Sequence, residues 1–171
     1  KDDPYYIGPI GCLGVGSSNS LSKDTDLALA IGTKLGDFTT GSWSNFHNPD
    51  FKLVSINAAR YDVTKHRATP VVSDAKVGLR ELTKKLDDWK APANWYERAR
   101  KEAKEWDQYV AKASGPTNQE LPTYAHAVGA VYRNADPSDV VVTAAGGLVG
   151  EAVQIWKPKQ INTFETEWGF S

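Results

Sequence analysis

Three short apolar runs mark the first half of the chain: LALAI at 27–31, KLVSI at 52–56 and PVVSD at 70–74. Continuous apolar runs of this length predict strands buried on both faces, as in a parallel sheet. Asp24 and Asp26 precede the first run and Gly32 ends it. Pro70 opens the third, where its missing N–H is tolerated. Ser73 and Asp74 are N-cap candidates for a helix over 75–86, in which Ala75, Leu79, Leu82 and Leu86 share one face. The stretch SSNSLSKDTD has room for a short helix before the first strand. Strands alternating with helices predict an α/β layer with a parallel sheet.

The second half has a different rhythm. After a break over 87–94, residues 95–114 read as one long helix, with Trp95, Ala99, Ala103, Trp106 and Val110 as its apolar stripe. Residues 115–122 (GPTNQELP) form a linker, and a helix follows over about 123–134 with Pro122 expected in its first turn. DPSD makes a turn, VVVTAA a buried strand, GEAVQIW a further helix, and NTFET a last strand. The expected organisation is an α/β domain over 1–87, a helical connector over 88–121, and the opening strand–helix units of a second α/β domain over 122–171. No internal repeat or low-complexity tract interrupts this plan.

Composition narrows the function. Of 171 residues, 40% are hydrophobic and 24% charged, enough for a packed core. A formal net charge of −1 argues against nucleic acid as a partner. No apolar run approaches the roughly 18 residues of a membrane helix, and KDDPYY is no signal peptide, so no membrane partner is expected. The single Cys12 cannot form an intrachain disulfide, which suits a reducing, cytoplasmic setting. Methionine is absent, including at position 1. The chain opens on a glycine-rich loop and stops at TEWGFS, so it reads as a piece of a longer polypeptide.

Several stretches could carry chemistry. GPIGCLGVGSS (8–18) is glycine-rich, but its glycines fall at 8, 11, 14 and 16, which is no GxGxxG fingerprint. It is either a loop approached closely by a phosphate or another backbone, or a loop that needs positive φ. After the first strand, Asp37, Thr39, Thr40 and Ser42 could meet a ligand or cap a short helix. Asn57 ends the second strand, where nucleotide-binding sheets often carry an acid, so a dinucleotide site is disfavoured. His47, His66 and His126 are scattered without zinc-like spacing. TKHR (64–67) reads as a solvated or salt-bridged turn. The strongest arrangement is DVVVTAAGGLVGEAVQIW (139–156): a strand, then Ala144-Ala145-Gly146-Gly147, then a helix. Unpaired N–H groups at a helix start attract an anion, and glycine lets it come close. A plain packing turn would use the same residues.

Taken together, these stretches bear a resemblance. DTDLALAIGTKLGDFTTGSWSNF and KLVSINAARYDVTKHRATPVVSDAKVGLREL look like the central domain of the acetolactate-synthase-like thiamine diphosphate enzymes. Within that group, DFTTGSW and DVTKHRATPVVSDA resemble most closely the trihydroxycyclohexanedione hydrolases of myo-inositol breakdown. VVVTAAGGLVGEAVQIW and ETEWGFS resemble the opening of that family's diphosphate-binding domain. The resemblance implies hydrolysis of a C–C bond in a cyclic dione, with thiamine diphosphate as electron sink and Mg2+ as its metal. It implies a homo-oligomer, dimer or tetramer, with the cofactor between subunits. By position, Gly146, Gly147, Leu148 and Val149 match the segment approaching the diphosphate, and Glu167, Gly169 and Phe170 the turn toward the pyrimidine-contacting segment. The family's activating glutamate and its Gly-Asp-Gly metal motif have no counterpart here, so no catalytic or metal-ligating residue is assigned and no activity is expected of these residues alone. Some relatives bind flavin in the central domain; Asn57-Ala58-Ala59 departs from the acidic pattern, so no flavin is expected. Two other readings stand beside this one: a non-enzymatic α/β module binding a nucleotide or protein, and a carboligase of the same superfamily.

Overall fold

The computed structural model describes residues 3–167. Helix α1 (Gly16–Asp24) leads into strand β1 (Leu27–Ile31), followed by the short helix α2 (Asp37–Thr40), β2 (Lys52–Asn57), the short α3 (Arg60–Val63), β3 (Thr69–Val72) and α4 (Ala75–Leu86). The long α5 (Ala93–Ala113) connects to α6 (Tyr124–Asn134), β4 (Val141–Thr143), α7 (Gly147–Ile155) and β5 (Phe164–Thr166). The molecule is α/β, with two parallel sheets, ordered β1-β2-β3 and β4-β5.

The apolar runs form parallel strands, with Leu29 opposite Val54 and Ile56 opposite Val71. Full burial does not follow. Leu27 is 53% exposed, Leu29 40%, and every residue of β3 is exposed. Coverage of the sheet is uneven: Ala30, Leu35 and Leu53 make the core cluster on one face, with Trp43 and Phe51 packed against it, while the other face is covered at Ile56, buried beside Gly78 of α4, and left open at Leu29. β4 departs from expectation in the same way. It is shorter than VVVTAA, Val142 is 74% exposed, and a two-stranded sheet offers little to cover it.

Helix starts were legible from their caps. Asp74 accepts a hydrogen bond from Val77 N at 3.0 Å, as an N-cap should. No residue of α4 is buried, so its apolar stripe rests only partly against β2. α6 starts one residue later than its proline suggested. Pro122 precedes the N-cap Thr123, which forms a capping box with His126: His126 N donates to Thr123 Oγ1 at 3.3 Å, and Thr123 N donates to His126 Nδ1 at 3.1 Å. The stripe on α5 does its expected work. Val110 is buried with Val128 of α6 and Ile155 of α7, and Trp106 packs on that cluster. α5 thereby links α1 to the β4–α7–β5 unit.

Candidate functional site

The turn between β4 and α7 is built for a close approach. Gly146 caps α7 with φ 144° and ψ −176°, a conformation open essentially to glycine alone. Among the described residues, no heavy atom beyond its chain neighbours lies within 4 Å of the point where its Cβ would stand. The glycine is therefore demanded by backbone shape, and no described residue fills the space a side chain would take. α7 has no side-chain cap and no acidic residue in its first turn. The amides of Gly147, Leu148 and Val149 have no acceptor within the helix, and no acidic residue of the helix's own first turn balances its positive end. These properties fit an anionic group such as a diphosphate. Val149 is buried and Leu148 is 45% exposed, so at Val149 the backbone N–H is what a ligand would use.

The second strand of this unit delivers Glu167 to the same edge. Thr143 and Thr166 are opposite each other in the parallel register, joined hydroxyl to hydroxyl at 3.1 Å. Beyond them Glu167 N donates to Thr143 O at 2.9 Å. Glu167 thus leaves the sheet beside the Ala144–Gly146 turn. Gly169 and Phe170 lie outside the described residues.

One neighbour of this turn has no signature in the sequence. Tyr124 opens α6, and its ring lies against Gly147: Cε2 stands 3.2 Å and Cζ 3.9 Å from the position of a Gly147 Cβ. Tyr124 is 61% exposed. It belongs to another helix, and no spacing rule links it to Gly147. The only local signal is its place just after a helix cap.

The stretches of the first sheet are occupied by internal contacts. In the glycine-rich loop, Gly11 N donates to Asn19 Oδ1 at 2.8 Å, Asn19 Nδ2 donates to Gly11 O at 2.9 Å, and Cys12 N donates to Phe38 O at 2.8 Å. That loop packs on backbone. Thr40 is 1% exposed; its hydroxyl donates to Gly36 O at 3.1 Å and accepts from Trp43 N at 3.1 Å. Asn57 bridges two loops, donating to Thr33 O at 3.2 Å and accepting from Ala59 N at 2.9 Å. In TKHR, Lys65 pairs with Asp62 at 2.8 Å, and that hydrogen bond holds the ammonium above its ordinary pKa. His66 stacks on Trp43, ring centroids 4.0 Å apart, and its Nε2 lies 3.0 Å from Leu35 O. Leu35, Ser42, Trp43, Phe46, His66 and Arg67 all take positive φ in these loops. None is glycine or asparagine, so no residue type announces that conformation.

Residues 1–82 match the family model described as thiamine pyrophosphate enzyme, central domain. Over these residues the chain is similar to the central domain of thiamine pyrophosphate enzymes. This family implies thiamine diphosphate as cofactor. The chain is similar to proteins named 3D-(3,5/4)-trihydroxycyclohexane-1,2-dione hydrolase. The one from Lacticaseibacillus casei is 32% identical over 193 residues, covering 100% of this chain and 30% of the relative. That from Clostridium tetani is 29% identical over 189 residues, covering 96% of the chain and 29% of the relative. That from Clostridium botulinum is 27% identical over 194 residues, covering 100% and 30%. The chain therefore spans about 30% of the length of these curated relatives. The resemblance drawn from DFTTGSW agrees with both matches, and AAGGL lies where only the hydrolase-named relatives align.

Proposed function

We propose that this chain is part of a thiamine diphosphate-dependent hydrolase that cleaves a C–C bond of a cyclic 1,2-dione in myo-inositol breakdown. Residues 1–87 are then its central domain, 88–121 a connector, and 122–171 the start of its diphosphate-binding domain. The observation that carries the reading is the turn at Gly146. It is a glycine-only conformation with no described residue in the space a side chain would take, at a helix start without a side-chain cap, in the stretch that resembles the diphosphate segment. Hydrolase-named relatives aligned over the whole chain support the reaction class.

In this reading the amides of Gly147, Leu148 and Val149 bind and orient the diphosphate, and Gly146 keeps side chains out of its way. Glu167, Gly169 and Phe170 begin the segment toward the pyrimidine. When bound, the cofactor supplies an electron sink for the cleaved bond. Mg2+ is expected on ligands other than these residues, since the 171 residues hold no Gly-Asp-Gly motif. The enzyme is proposed to be a cytoplasmic homo-oligomer without flavin, acting on a small-molecule dione and binding neither nucleic acid nor membrane.

The test is an assay of dione consumption by the longer polypeptide that contains this segment, with thiamine diphosphate and magnesium supplied. Ring-opened product is expected there and none from the 171 residues alone. A holoenzyme that leaves the dione intact sinks the reaction assignment, and turnover by the isolated chain sinks the division of the site.

A further inference from the structure

We draw no further inference here: the strongest candidate, the apolar groove between Leu29 of β1 and the Trp89 and Trp95 side chains, is an unpartnered face, and nothing in the structure shows what covers it.

Discussion

Gly16 lies against the indole of Trp106, so closely that a Cβ on Gly16 would stand 2.6 Å from Trp106 Cε3. The contact is where α1 meets α5, and Trp106 continues into the cluster of Val110, Val128 and Ile155. One missing methyl thus lets the connector helix sit down on the first unit while its far face holds the second. Gly16→Ala should gain some helix propensity and lose more through overpacking, for a net destabilisation of about 1–2 kcal/mol. Urea unfolding would read this as a lower midpoint with an unchanged slope. An unchanged midpoint would mean that α5 yields freely at this crossing.

Arg98 joins the same two helices by charge. Its Nη2 lies 2.7 Å from Asp24 and its Nε 2.7 Å from Glu102. These bonds, the one to Glu102 first, raise the guanidinium pKa. A raised pKa means stability present below the unfolded value and lost only as pH climbs past the folded one, so no pH dependence is expected near neutrality. Both Arg98 and Asp24 are partly in solvent, which limits the gain. Arg98→Ala should cost up to about 1 kcal/mol in low salt and less at 1 M salt. A cost that does not shrink with salt would assign the effect to the packing of the arginine stem.

Much of the fold could be read from the chain because its signals are local. The runs LALAI and KLVSI and the Asp74 cap depend on neighbours in sequence, and the structure places β1, β2 and α4 at those positions. Burial could not be read, because it depends on what lies above a sheet. Leu29 and Val71 follow the pattern of a doubly covered strand and stand 40% and 38% exposed. The site divides in the same way. Gly146 and the start of α7 announce themselves as strand, glycines, helix. Tyr124 reaches that turn through the packing of α6 on α7, a relation between distant residues that no period encodes.

Asp74 is the one side chain holding the first turn of α4, through Val77 N. Because no residue of that helix is buried, the cap carries an unusual share of its stability. Asp74→Ala should cost about 1 kcal/mol, felt locally. The readout is amide exchange: protection over Ala75–Leu86 should fall while β1 and β2 keep theirs. Uniform loss across the chain would show that α4 unfolds only with the whole molecule.

Asp136 and Ser138 offer a pH test. The Ser138 hydroxyl donates to Asp136 Oδ1 at 2.6 Å and the Ser138 amide at 2.9 Å. The hydroxyl contact, then the amide, lowers the Asp136 pKa. The sign follows: a depressed carboxylate stabilises the turn above the ordinary carboxylate pKa, and that contribution is lost as pH falls through the lowered value. The Ser138 amide resonance should titrate with a midpoint below the ordinary carboxylate range, and Ser138→Ala should move the Asp136 midpoint back up. A midpoint at or above the ordinary value would remove the hydroxyl contact from the account.

Gly146 and Gly147 are adjacent, yet substitution should affect them by different routes. At Gly146 no described residue stands in the way of a Cβ, but φ is 144°, so alanine meets backbone strain of about 1–3 kcal/mol. At Gly147 the backbone is helical, and the obstacle is the Tyr124 ring, 3.2 Å from the new Cβ. That ring is largely exposed and free to shift, and alanine favours the helix, so the net cost of Gly147→Ala should stay within about 0.5 kcal/mol. Thermal or urea unfolding should therefore rank Gly146→Ala clearly below Gly147→Ala. Pyrophosphate should separate them again. Gly147→Ala leaves the amides in place, so it should weaken binding less than Gly146→Ala, which reshapes the turn that presents those amides. Equal stability of the two variants would mean that the turn relaxes to an ordinary conformation without loss, and the case for a backbone shaped around an anion would go with it.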